Sequence, residues 1–113
     1  MRLKAKVTRV LDGDTVDVIF KFPFGISVNK RVRLFGINTP ETRTRDPIEK
    51  AKGYAAKDRL IELLREGDNN VVVEYHGDGK FGRPLGELYI KDKNLNDILV
   101  SEGHAVPYFG GKR

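Results

Sequence analysis

The sequence predicts an α+β fold in which five short strands form a partly open β-barrel of the OB type, with two α-helices flanking it. Three observations support this prediction. Three strand-like runs open the chain, an amphipathic helical stretch follows them, and two more strands and a short helix complete the order. The length of 113 residues suits one core, so we interpret residues 1–113 as a single domain.

The first three strands are predicted over Leu3–Leu11, Thr15–Phe20 and Ser27–Ile37. Every second residue of the middle run is a valine or a phenylalanine, which is the period of a strand with one buried face. The segment "FPFG" that follows the middle run combines proline with glycine and predicts a turn. Antiparallel pairing of the second and third strands is expected to bring Asp14 close to the end of the third strand.

The turn between the first two strands contains two aspartates, Asp12 and Asp14, on either side of Gly13. An Asp-Gly pair predicts a hairpin turn, because glycine adopts a positive φ without steric cost. Two carboxylates this close repel each other unless a cation or an arginine lies between them. The pair therefore indicates a positively charged neighbour at this turn.

A polar segment with two prolines, "NTPETRTRDPIEK", predicts a loop after the third strand. The helix that follows is predicted to end at Gly67, and it begins either at a capping box at Asp46 or at Gly53. Its apolar residues form one helical stripe: Ala56, Leu60, Leu63 and Leu64.

Two further strands are predicted over Val71–Tyr75 and Leu85–Ile90, joined by the glycine-rich loop "HGDGKFGRP". A short helix over Leu95–Glu102 is expected to end at Gly103, since glycine is the usual residue just beyond a helix. The tail "AVPYFGGKR" predicts irregular structure.

The composition limits the possible functions. Lysine and arginine number 21 against 16 acids, a net charge of +5 that suits a polyanionic partner and equally suits a solvated lysine-rich surface. The absence of cysteine excludes disulfides, thiolate catalysis and zinc–thiolate sites. No apolar run is long enough to cross a membrane, and the N-terminal segment predicts no signal peptide in this chain, which leaves both secretion and a cytoplasmic location open.

Four charged residues near the strand ends indicate phosphodiester chemistry: Asp14, Arg33, Glu41 and Arg83. Carboxylate and carbonyl oxygens suit Ca²⁺, and guanidinium groups bind phosphate oxygens in a bidentate manner. Glu41 would orient or deprotonate a water. Each residue alone is better explained as a turn acid, a solvated loop residue or a surface ion-pair partner, so the prediction depends on their convergence.

Four motifs carry a family resemblance: "VLDGDTVDV", "VRLFGINTPET", "KFGRPLGELYI" and "LNDILVSEGHA". Their order and separation resemble the staphylococcal nuclease (thermonuclease) family over nearly the whole chain. The resemblance implies an OB barrel with flanking helices and a Ca²⁺-dependent endonuclease that hydrolyses DNA and RNA. It further implies 3′-phosphate products, and we expect single-stranded or frayed substrates and a monomer.

The resemblance also assigns roles to individual residues. Asp14 matches the calcium-binding aspartate of the family, and Thr39 matches the threonine whose backbone carbonyl helps to hold calcium. Arg33 and Arg83 match the two phosphate-binding arginines, and Glu41 matches the catalytic glutamate. These five positions are the expected centre of the site.

The remaining assignments concern the surroundings of that centre. Asp12 matches an aspartate that lies near the calcium without holding it directly. Asn38 stands where a second calcium-binding aspartate is found in the family, and a neutral amide ligand implies weaker calcium binding. Three aromatic residues are expected either to stack on a nucleotide base or simply to pack on the protein: Phe81, Tyr108 and Phe109.

A second interpretation belongs to another functional class. A nuclease-fold module that has lost catalysis would bind nucleic acid or a protein tail without cleaving it. The acids and arginines at Asp14, Arg33, Glu41 and Arg83 favour the enzyme, whereas Asn38 keeps the binding module as an alternative.

Overall fold

The computed structural model describes residues 1–109, and within them a closed five-stranded β-barrel with two α-helices confirms the predicted fold class. In chain order the elements are β1 (Arg2–Asp12), β2 (Thr15–Lys21), β3 (Ser27–Leu34), β4 (Ile37–Asn38), α1 (Pro47–Arg65), β5 (Asn70–Asp78), β6 (Pro84–Ile90), β7 (Lys93–Asn94), α2 (Leu95–Ser101) and β8 (Val106–Pro107).

The barrel strands follow the spatial order β3-β2-β1-β5-β6, and each neighbouring pair is antiparallel. A short parallel pairing between β3 and β6 closes the barrel, with Arg33 opposite Leu85 and Leu34 opposite Gly86. This closure brings the end of β3 next to the start of β6. Residues far apart in the sequence therefore meet at one end of the barrel.

The core lies inside the barrel and beneath the two helices. Alternate residues of the strands point inward, as the period of two predicts, and the apolar stripe of α1 packs against them. The largest fully buried apolar side chains come from both kinds of element: Val16, Val18, Leu34, Val32, Val73 and Leu88 from the strands, and Leu60, Leu64, Leu95 and Leu99 from the helices.

Helix α1 begins at Pro47 with Asp46 as its N-cap, and not at Gly53, which lies in the helix interior. The Asp46 carboxylate accepts hydrogen bonds from the backbone N–H groups of Ile48 and Glu49, at 2.9 and 3.4 Å. Pro47 occupies the first turn, where its missing N–H costs nothing. The helix ends at Arg65, two residues before the predicted stop. Among residues 1–109, no helix is long and apolar enough to cross a membrane.

Gly13 serves a different purpose from the one expected. Its φ lies outside the left-handed region, so the turn does not need glycine for its backbone conformation. A Cβ atom at this position would lie 2.7 Å from the Cβ of Ala56 and 2.9 Å from the Cγ2 of Thr39. Glycine is required here because the turn packs directly against α1 and the loop that follows β4.

Two predicted boundaries are corrected at the end of the third strand and in the tail. The third strand ends at Leu34 instead of Ile37, because Gly36 turns the chain with a φ of +79°. Strand β4 then pairs with β8, so the tail contains one short strand and is not wholly irregular. Strand β5 also runs past its predicted end at Tyr75.

Candidate active site

The register of β2 and β3 places Arg33 against the Asp14 turn, as antiparallel pairing predicted. Arg33 lies opposite Thr15, and the backbone N–H of Leu34 donates to the carbonyl of Asp14 at 2.8 Å. The Arg33 Nη1 lies 3.2 Å from the Asp14 Oδ2, with the side chains only 18% and 11% exposed. The positive neighbour that the paired aspartates indicated is therefore an arginine in this structure.

Asp14 is buried and is held by donors on both carboxylate oxygens. The Thr15 hydroxyl donates to Oδ1 at 3.1 Å, and the backbone N–H of Thr39 donates to Oδ2 at 3.0 Å. Donors on both oxygens hold the buried carboxylate in one orientation. The side chain is therefore preorganised to face a positive group.

Asn38 and Asp12 contact partners from neighbouring parts of the site. Asn38 is buried, and its Oδ1 accepts a hydrogen bond from the Arg33 Nη2. The guanidinium thus contacts both Asp14 and Asn38, the two side chains that the resemblance assigns to calcium. The Asp12 Oδ1 accepts a hydrogen bond from the buried Thr42 hydroxyl at 2.5 Å, which holds this acid against the loop after β4.

Most of the predicted site residues line one cavity of about 290 Å³. Six of the ten predicted residues line it: Asp12, Asp14, Arg33, Thr39, Glu41 and Arg83. Sequence reasoning missed other lining residues, above all Thr42 and Arg43. Their position directly after Glu41 could have predicted this, because neighbouring side chains of one loop often line the same surface.

The backbone of α1 sets the position of the Glu41 loop. A Cβ atom at Gly53 would lie 2.6 Å from the carbonyl oxygen of Glu41 and 2.9 Å from that of Pro40. No side chain fits in that space, so glycine allows the helix to touch the loop. Glu41 itself is exposed at the cavity.

The three aromatic residues lie in different places. Phe81 is 92% exposed in the turn just before Arg83, whose guanidinium carbon lies 5.8 Å from the centre of its ring. Phe109 packs edge-on against Phe35 and lines a separate depression of about 460 Å³. The backbone N–H of Tyr108 donates to the carbonyl of Gly36 at 2.8 Å.

The chemistry of the cavity suits a hard cation. Within residues 1–109, no group of three or more His, Cys, Asp or Glu side chains has the geometry of a metal cluster. The cavity nevertheless offers oxygen donors from the carboxylates of Asp12, Asp14 and Glu41 and from threonine hydroxyls. An all-oxygen donor set fits Ca²⁺ or Mg²⁺, both of which also take carbonyl and water ligands.

The fold and the site define a class: an OB-barrel protein whose end cavity combines carboxylates with three guanidinium groups, those of Arg33, Arg43 and Arg83. The family described as Staphylococcal nuclease homologue matches residues 31–113, which is most of the chain. The chain belongs to this family.

Individual relatives agree with this membership. The chain is 34% identical to a micrococcal nuclease of Shigella flexneri and covers 58% of its length, with 93% of the chain aligned. It is 35% identical to a thermonuclease of Staphylococcus intermedius, over 88% of the chain and 56% of the relative. An endonuclease of Bacillus subtilis (strain 168) is 31% identical over 86% of the chain and 44% of its own length. The chain thus spans about half the length of these relatives.

Proposed function

We propose that this protein is a metal-dependent nuclease that hydrolyses phosphodiester bonds of DNA and RNA in the cavity between β2, β3 and the Glu41 loop. The observation that carries the proposal is the convergence of Asp14, Arg33, Glu41 and Arg83 on one cavity. The relatives of the chain include a micrococcal nuclease, a thermonuclease and an endonuclease, which supports the same activity.

The two arginines would bind and stabilise the phosphate. Arg33 is anchored by its ion pair with Asp14, so its guanidinium does not need to reorganise when charge develops on phosphorus. Arg83 approaches the cavity from the turn before β6. A guanidinium stays ionised at every relevant pH and matches two phosphate oxygens at once.

Glu41 would act as the general base. It is exposed at the cavity and carried by a loop that α1 holds in place through Gly53. A carboxylate at hydrogen-bonding distance from a water would orient it and accept its proton.

We propose Ca²⁺ as the metal, held by the carboxylate of Asp14, the amide oxygen of Asn38 and the backbone carbonyl of Thr39. When bound, the ion supplies positive charge next to the phosphate that is cleaved. The Asn38 amide brings no charge, so the affinity for Ca²⁺ is expected to be lower than with two carboxylates.

The substrate would be a single-stranded or frayed segment, and the products would carry a 3′-phosphate. A cavity of about 290 Å³ accommodates a phosphate group with its sugar more readily than an intact duplex. We propose further that one copy of the chain forms one domain and acts as a monomer.

One observation favours a second candidate, a nucleic-acid-binding module without catalysis. Arg33 contacts Asp14 and Asn38 in this structure, so a metal at Asp14 must share its ligands with a guanidinium. If that competition prevents metal binding, the cavity would still attract a phosphate through its arginines.

A digestion assay distinguishes the two candidates. Plasmid DNA and single-stranded RNA are incubated with the protein in Ca²⁺ and in excess EGTA, and the ends of the products are analysed. The enzyme predicts cleavage of both substrates in Ca²⁺, loss of cleavage in EGTA and 3′-phosphate ends. Binding of oligonucleotides without cleavage in either condition would favour the binding module, and undiminished cleavage in EGTA would exclude the proposed metal.

A further inference from the structure

The hairpin that joins β2 to β3 presents unexplained apolar side chains to solvent. Every residue from 21 to 31 is exposed, so this hairpin projects away from the core. Phe24 at its tip is 98% exposed, and its neighbours Phe22 and Ile26 are 38% and 55% exposed. An exposed cluster of large apolar residues usually marks a binding surface.

The tip repeats the geometry of the turn beside the cavity. Phe24 has a φ of 67° and is followed by Gly25 at 73°, while Phe81 has a φ of 61° and is followed by Gly82 at 69°. A bulky side chain in this left-handed region is strained, and such strain tends to persist at functional sites. In both turns the strained backbone exposes more than nine-tenths of a phenyl ring to solvent. The two turns therefore share one backbone conformation, and each exposes one phenylalanine to solvent.

A groove of about 650 Å³ lies along β2 and β3, the two strands that the hairpin joins. Arg83 lines both this groove and the cavity of the candidate active site, so the two are neighbours on the surface. Further along, the groove is lined by Arg31, and then by Asn29 paired with Ile19. The six residue steps from Arg33 back to Ser27 span about 20 Å of extended strand, which separates the cavity from the start of the turn that carries Phe24.

The groove carries an excess of positive charge. Lys30, Arg31 and Arg83 line it together with one acid, Asp17. Arg31 forms a two-point ion pair with Asp17, at 2.8 and 3.2 Å, which fixes the guanidinium on the groove wall. Basic side chains along a groove, with an exposed aromatic ring on the hairpin that forms it, suit the binding of single-stranded nucleic acid.

We propose that the β2–β3 groove and Phe24 form an extended subsite for single-stranded nucleic acid, in which Phe24 stacks on a base several nucleotides from the phosphate in the cavity. The proposal rests on the proposed function and names its substrate more closely, as a strand long enough to reach the hairpin tip. The separation of about 20 Å agrees with the range of about 4 to 16 nucleotides that OB domains bind. A duplex keeps its bases stacked on each other, so Phe24 favours an unpaired strand.

Binding is measured without cleavage, by fluorescence anisotropy of labelled oligothymidylates of 3 and 15 nucleotides in EGTA. Phe24→Ala removes the ring, and Phe24→Gly removes the ring while relieving the left-handed backbone, so a folding defect cannot explain a loss shared by both. Both variants are expected to weaken binding of the 15-mer by at least about fivefold, the lower limit for one stacked base, and to leave the 3-mer unchanged. Phe24→Trp is expected to retain wild-type binding of the 15-mer.

Ile48→Ala is the matched control, because it removes another exposed apolar side chain, from the first turn of α1. Equal binding of the 15-mer by wild type and Phe24→Gly would overturn the proposal. Phe24-dependent binding to phosphatidylglycerol vesicles, or Phe24-dependent self-association, without an effect on the 15-mer would also overturn it. DNA cleavage in Ca²⁺ is measured in parallel. If wild type cleaves DNA but the Phe24 variants bind the 15-mer as wild type does, the subsite alone is refuted. If wild type neither cleaves DNA nor binds the 15-mer, the proposed function is refuted as well.

Discussion

Arg33 is mostly buried, and its guanidinium contacts several partners at once. Its Nη1 lies 3.2 Å from the Asp14 Oδ2 and 3.3 Å from the carbonyls of Asp14 and Leu34, and its Nη2 contacts Asn38. A planar guanidinium satisfies these partners at the same time, whereas an ammonium group cannot reproduce that geometry. The orientation of Arg33 is therefore fixed before any substrate arrives.

Arginine-to-lysine changes test this role at both positions. We expect Arg33→Lys and Arg83→Lys each to lower the hydrolysis rate by at least about 100-fold, the effect of losing one preorganised donor. Arg65→Lys, in the last turn of α1, is the matched control and should change the rate less than about twofold. Single-turnover cleavage of a labelled oligonucleotide gives the rates, with circular dichroism as the folding check. A near-normal rate for Arg83→Lys would mean that Arg83 is only a surface charge.

Asn38 tests the position of the metal. If its amide oxygen holds Ca²⁺, Asn38→Asp adds a negative charge next to the ion, and the net gain after desolvation is expected to be about tenfold in affinity. Arg33 already lies between positions 14 and 38, so the new carboxylate would not face Asp14 unscreened, and the metal-free protein should lose little stability. Calorimetric titration and thermal melting measure the two quantities. An unchanged calcium affinity would place Asn38 outside the metal site.

At the scale of elements, helix α1 supports the site as well as the core. Its buried stripe packs against the barrel, while Gly53 lets its backbone touch the loop of Pro40 and Glu41. The sequence offered this glycine as a possible helix start. Glycine is needed at position 53 because the helix touches the loop of Pro40 and Glu41, about a dozen residues earlier. Local sequence patterns do not reveal a contact of this kind.

Gly53→Ala separates helix propensity from site geometry. Alanine favours a helix interior by about 1 kcal/mol, yet its Cβ would press against the Glu41 carbonyl at 2.6 Å. The loop must move, so we expect the hydrolysis rate to fall about tenfold or more while the protein stays folded. The control is Lys52→Ala at the neighbouring exposed position. A normal rate for Gly53→Ala would show that the loop adapts without consequence.

Helix α2 shows why some structural residues escape prediction. Asn96 is 1% exposed; its amide donates to the carbonyls of Phe35 and Gly86, and its Oδ1 accepts from the N–H of Leu88. In the sequence it is one polar residue of an ordinary helix start. Its partners belong to β6 and to the turn after β3, so only the assembled fold reveals the role.

For the whole molecule, local patterns predicted the five barrel strands and the two helices, and the antiparallel pairing of β2 with β3 was expected from their order. The strand closure did not follow from any local pattern. The parallel pairing of Arg33 with Leu85 joins segments about fifty residues apart and delivers Arg83 to the cavity. The family resemblance supplied that convergence in advance, because its motifs carry the long-range arrangement. Neither a local pattern nor the family motifs predicted the pairing of β8 with β4.

In the proposed reaction, Glu41 acts as the base for phosphodiester hydrolysis in the cavity. The most direct measurement is the single-turnover rate of Glu41→Gln against wild type at saturating Ca²⁺, with oligonucleotide binding measured on the same samples. Glu66→Gln is the matched control, since it lies about 20 Å along α1 from Gly53 and hence away from the Glu41 loop. We predict a fall of at least about 100-fold for Glu41→Gln with unchanged binding and folding. A rate for Glu41→Gln within about twofold of wild type would contradict the role of Glu41 as the base.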